Sequence, residues 1–148
     1  MKRNRWIVMI SICVILSVGL FGCGKKKESN NYFEGISNVQ EIRITDKDGV
    51  QIRVIEDDQK LKDFIEQLQT DTWTLSSGIG DATKAINIEF KKRETVKLGQ
   101  SQKDADLYTT CTMHTYKDQP YVVLEIKGIS VTFKTTDKTQ EYLNSFAK

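Results

Sequence analysis

The chain has 148 residues, 39% of them apolar and 28% charged, with a single proline. That is enough sequence for one domain, and the composition excludes collagen-like, low-complexity and wholly disordered chains. The formal net charge of +2 is uneven, with Lys2, Arg3 and Arg5 all at the start.

In chain order, the first feature is Met1–Arg5, a basic head. Trp6–Gly22 follows as an uncharged run of 17 residues, then Cys23 and a polar stretch. This is the layout of a secretory signal. Leu20-Phe21-Gly22-Cys23 resembles the lipobox of bacterial prolipoproteins, in which a branched aliphatic residue and two small residues precede an obligatory cysteine. Phe21 is bulkier than that pattern prefers.

The resemblance implies that Cys23 receives a diacylglyceryl group and that a dedicated peptidase cuts after Gly22. It also implies a domain anchored in the cell membrane on its extracytoplasmic side. In a Gram-negative cell, Gly24 permits sorting to the outer membrane. Two acyl chains anchor stably where one does not, at about 0.8 kcal/mol per buried CH₂. The alternatives are an ordinary secretory signal or an uncleaved membrane anchor. As a helix the apolar run spans about 25 Å, short of a bilayer core near 30 Å.

Removing residues 1–22 leaves 126 of the 148 residues. It takes three of the 22 basic residues, so 19 face 20 acidic ones and the mature charge is −1. Such a domain lacks the electrostatic footprint expected for nucleic acid. Of three cysteines, Cys13 leaves with the signal and Cys23 is acylated. Only Cys111 remains, so no intramolecular disulfide forms and the core alone holds the fold. Residues 23–38 read as the lipidated cysteine and a polar tether, and 39–148 as a single domain.

From Val39 the pattern is regular. Ile42 and Ile44 alternate with Arg43, Asp46-Lys47-Asp48-Gly49 turns, and Ile52 and Val54 alternate with Arg53, which predicts a hairpin. Leu61, Phe64, Ile65 and Leu68 form one stripe of a helix over Asp57–Gln69, capped by Asp57 or Asp58. Trp73 and Leu75 suggest a short strand, and Ser76–Asp81 a loop. Ile86, Ile88 and Phe90 alternate with Asn87 and Glu89. Lys91–Glu94 reads as a charged turn before a strand at Val96 and Leu98. Gln100–Asp106 reads as a loop, and Leu107–Tyr116 as a strand with one wet face. Tyr121–Ile126 and Ile129–Phe133 flank a Lys127-Gly128 turn. Asp137 opens a last helix with Gln140 as its capping-box partner. The pattern predicts an α+β fold, an antiparallel sheet of about six to eight strands with both amphipathic helices on one face. The region from Val39 to Ala147, ending in a strand–helix unit at Ile129–Phe146, is similar to small lipoproteins of low-GC Gram-positive bacteria, a likeness that brings no catalytic residues.

Few residues carry chemistry. Cys111 and His114, the only histidine, spell Cys-x-x-His, but a strand period of two sends them to opposite faces. Cys111 reads as core and His114 as surface, and no second ligand completes a metal site. Asp46–Gly49 lacks the ligands of a calcium loop. Glu56-Asp57-Asp58 is explained by the helix N-terminus. Tyr108, Thr110, Thr112, His114 and Tyr116 share one strand face under the same period, a candidate binding face. Ser76, Ser77, Gly78, Gly80 and Asp81 form a candidate binding loop. Two functions follow. The first is a non-enzymatic binding or accessory module that meets another envelope protein through the strand face. The second is a small-ligand or cell-wall-acting protein, and a possible enzyme, using the Ser76–Asp81 loop. The Cys23 lipid is the one covalent group implied, and no metal or other cofactor is.

Overall fold

The computed structural model describes residues 31–95 and 105–147. The signal segment, Cys23 and the predicted strand at Val96 and Leu98 lie outside the described residues.

One compact unit spans Asn31–Lys148, and residues 31–38, which the pattern assigns to the tether, lie within it. Asn31–Phe33 is one 3₁₀ turn. The Phe33 ring packs 5.7 Å from Trp73 and 5.3 Å from Phe133, and Ile36 is buried. Tyr32, Phe33 and Ile36 are too few to set a strand or a helix period, so the pattern alone assigns this strap to the tether.

Strands β1 (Glu41–Asp46) and β2 (Gln51–Ile55) form the predicted hairpin. Its turn is fixed by Asp46, whose Oδ1 accepts from the Asp48 and Val50 amides. Gly49 sits at φ +86°, where a side chain is strained. One detail inverts the expected alternation. Ile44 faces Arg53 and Thr45 faces Gln51, so Ile52 is an extra residue. That bulge turns Arg53 to the side of Ile44 and leaves Ile52 exposed.

Helix α1 (Asp58–Leu68) is capped by Asp57, whose side chain accepts from the Lys60 amide at 3.0 Å. It buries Leu61, Phe64 and Leu68. Strand β3 (Thr74–Leu75) follows. Trp73, just before it, is a buried plug whose Nε1 donates to the Leu68 carbonyl at 2.8 Å. Strand β4 runs Lys84–Arg93, and β5 runs Leu107–Tyr116 as predicted. The expected turn at Lys91–Glu94 is thus largely strand. Lys91 pairs with Glu41 and Thr109, and this ladder outweighs the turn-like charge run. Strands β6 (Gln119–Ile126) and β7 (Ile129–Lys134) join at Lys127 and Gly128, both left-handed. Helix α2 (Asp137–Asn144) is capped by Thr136 rather than Asp137. Gln140 is no capping partner, because its Nε2 donates instead to the Tyr116 carbonyl and to Asn144.

Among the described residues, seven strands form one antiparallel sheet in the order β2-β1-β4-β5-β6-β7-β3. The link through α1 carries the chain from one edge to the other. Both helices cover one face, giving the α+β architecture expected. Phe64 shows the packing, with its ring 6.4 Å from Phe90 on the sheet and 5.8 Å from Phe146 beyond α2. Removing such a ring typically costs about 3–5 kcal/mol.

Candidate functional site

Cross-strand partners in a sheet share a face, and neighbours along a strand alternate. Ile42, Ile44, Ile88, Phe90, Met113 and Leu124 face the helices and are buried. The opposite face therefore carries Glu41 and Arg43 on β1, Asn87, Glu89 and Lys91 on β4, Thr112 and His114 on β5, and Glu125 on β6. This outer face is tied together by its own side chains. Arg43 Nη2 lies 2.9 Å from Glu41 Oε1, and Lys91 Nζ lies 3.2 Å from Glu89 Oε2. Glu41 is buried and Glu125 remains half exposed.

His114 lies between β4 and β6. Asn87 Nδ2 donates to the Asp46 carbonyl at 2.9 Å, which orients the amide. Its Oδ1 is then the atom 2.7 Å from His114 Nδ1. A carbonyl oxygen only accepts, so Nδ1 carries the proton. Nε2 makes no hydrogen bond, is buried, and lies 3.3 Å from Glu125 Oε1. In the neutral ring a lone pair faces that carboxylate, and in the imidazolium the same contact is an ion pair. Arg43 Nε is also buried without a partner.

The structure corrects the reading of this strand in three ways. First, His114 is buried, 8% exposed, because Asn87 and Glu125 close on it from both flanking strands. Second, the five candidate residues do not share a face. Phe90 faces Cys111 and Lys91 faces Thr109, so Thr110 is an extra, bulged residue. Its hydroxyl donates toward the Gly35 and Phe90 carbonyls. Tyr108 opposes Lys92, whose Nζ reaches the Glu34 carbonyl on the helix side, so Tyr108 sits on that side too. Third, Tyr116 lies beyond a second register shift and is buried. Burial pushes its hydroxyl pKa up, and the Glu125 charge adds to this. Thr112 and His114 keep the expected face.

Cys111 is on the helix side, as expected, and buried. Burial pushes its thiol up to about 12, with a smaller push from Glu125. The sheet separates it from the imidazole, so the two form no nucleophile–base pair. Among the described residues, no group of three or more His, Cys, Asp or Glu side chains is placed to hold a metal ion.

In the candidate loop, the Ser76 amide extends the β3–β7 pairing by donating to Thr132. Its hydroxyl donates to the Gly78 carbonyl at 3.3 Å. Ser77, Gly78, Gly80 and Asp81 are exposed. A cavity of about 680 Å³ lies at the other edge of the sheet, between β2, α1 and the end of α2. Its lining includes Arg53, Asp63, Tyr142 and Phe146. The Arg53 guanidinium stacks 5.2 Å from the Phe146 ring. Burial pushes the Tyr142 hydroxyl up, with Arg53 opposing and Asp63 adding to the shift. This groove is hidden from the strand pattern because the bulge at Ile52 reverses which side Arg53 takes. The pattern likewise does not reveal Asn87 and Glu125 as partners of His114. Their only signal was a polar residue at alternate positions of a strand.

The chain matches no protein-family model and no curated protein. Among solved structures it is similar to a thioesterase-like protein from Clostridium sporogenes, at 16% identity and a TM-score of 0.41. That match covers 74% of this chain and 94% of the other. A likeness this distant carries no argument about fold or activity.

Proposed function

We propose that this protein is a lipid-anchored, extracytoplasmic binding module that presents its outer sheet face to another component of the cell envelope. The anchor reading rests on Leu20–Cys23 and the basic and apolar segments before it. The binding reading rests on one observation, the paired side chains of the polar outer face, Glu41 with Arg43, Glu89 with Lys91 and Asn87 with His114, with Glu125 beside the imidazole. Side chains already held in fixed pairs lose little rotamer freedom when a partner docks, which favours recognition over plain solubility. Glu125 is exposed and Arg43 partly exposed at this face, and they are the groups a partner meets first.

The alternative, a ligand- or wall-acting protein built on Ser76–Asp81, has less support, since the groove lined by Arg53 and Tyr142 lies at the opposite edge. A photo-crosslinking residue at Thr112 in the anchored protein tests the binding reading. One dominant envelope product is expected, lost on Glu125→Lys and kept on Asp81→Lys. Capture that ignores Glu125→Lys, or that is lost with Asp81→Lys alone, refutes it. Cys23→Ala tests the anchor separately, since it should leave unprocessed precursor without fatty-acid label.

A further inference from the structure

The sheet has an apolar patch at each edge. Val50 and Ile52 are 64% and 40% exposed on the β1–β2 hairpin. Leu75 is 63% exposed on edge strand β3, and Tyr32 is 37% exposed beside it. Leu75 pairs with Phe133, and the Tyr32 ring lies 6.0 Å from the same phenylalanine. By exposure alone the two edges do not differ. They differ in where the chain enters. The unit that carries the sheet begins at Asn31, and Tyr32 next to it packs on Phe133 of β7, at the β7–β3 edge.

Only eight peptide steps separate Cys23 from Asn31. At full stretch they reach at most about 29 Å, whatever conformation they take. From β7 to β2 is five strand spacings, about 24 Å at about 4.8 Å each. Resting the β2 edge on the lipid would lift Asn31 by most of that reach and demand a nearly straight tether. Resting the β3 edge on the lipid demands nothing of it. Lys25, Lys26 and Lys27 in the same segment favour an anionic surface, as does exposed Lys134 opposite Thr74.

We infer that the β3–β7 edge, through Tyr32 and Leu75, docks on the headgroup layer of the membrane that carries the Cys23 lipid. A tyrosine with a polar tip and an apolar body suits that layer. The sheet then stands on its edge, and its polar outer face looks sideways toward neighbours on the same membrane. This inference rests on the lipid-anchor reading and extends it.

The test uses the mature, lipidated protein in phosphatidylglycerol-containing vesicles. Leu75→Cys and Val50→Cys each add one exposed thiol, to be labelled with a polarity-sensitive dye. Cys23 is acylated and Cys111 is buried, so neither competes. Expected are co-flotation of both variants with the vesicles, and a blue-shifted emission quenched by headgroup-proximal nitroxide lipids at Leu75 but not at Val50. Co-flotation with an unshifted Leu75 dye, or with equal or stronger quenching at Val50, overturns the edge inference and leaves the anchor standing. Failure to float overturns the anchor reading and this inference with it.

Discussion

Asn87→Ala is the sharpest probe of the outer face. The side chain holds two hydrogen bonds, 2.9 Å to the Asp46 carbonyl and 2.7 Å to His114 Nδ1. Each is worth about 1 kcal/mol net, and leaving the His114 donor unpaired in a buried site adds to the loss, for a total of about 2–3 kcal/mol. In a domain of this size that lowers Tm by roughly 6–15 °C. Urea unfolding measures the free energy. Nitrogen-15 NMR measures the cause, because the chain has one histidine and its ring signals are unambiguous. The neutral ring of the native protein should carry its proton on Nδ1, and Asn87→Ala should release that preference. A loss below about 0.5 kcal/mol, or a neutral native ring with its proton on Nε2, would refute the network as described.

Two further substitutions test the parts that hold this face in place. A Cβ at Gly35 would lie 3.0 Å from the Cys111 Cβ and 3.3 Å from the Thr110 carbonyl oxygen, so Gly35→Ala should cost about 1–3 kcal/mol. Cys111→Ala should not rescue it, since the contact is with the Cβ, and a neutral Gly35→Ala in thermal unfolding would mean that the strap is loosely held. For Cys111 the thiol stays protonated in the fold up to about 12, against an ordinary 9.0. The unfolded chain therefore sheds that proton first, and stability should fall as pH rises from 9.0 toward 12, by up to about 1.4 kcal/mol per pH unit. Cys111→Ala should flatten this alkaline slope, with Tyr116 and Tyr142 sustaining what remains. An unchanged slope would remove Cys111 from the account.

The elements that were legible in the sequence are those whose causes are local. The Leu61–Leu68 stripe, the Asp57 cap and the Lys127-Gly128 turn each depend on residues within a few positions. The His114 site depends on Asn87 and Glu125, which only strand pairing brings beside it. Thr110 bulges where its hydroxyl meets Gly35, a partner 75 residues away. A strict period of two therefore mis-sorted Tyr108 and Thr110. The same failure in β2 hid Arg53 and the groove it lines.

By itself the sequence determined the class of fold, the helix and hairpin positions, and the separation of Cys111 from His114. Each follows from the period of apolar residues and from turn chemistry, which act over one or two turns of chain. Tertiary structure alone decided that Phe33 and Ile36 pack on the core, that β4 runs on to Arg93, and that His114 is buried between Asn87 and Glu125. Those outcomes depend on which strands become neighbours and where a register slips, and the free energy of such long-range pairing is not written in any local stretch.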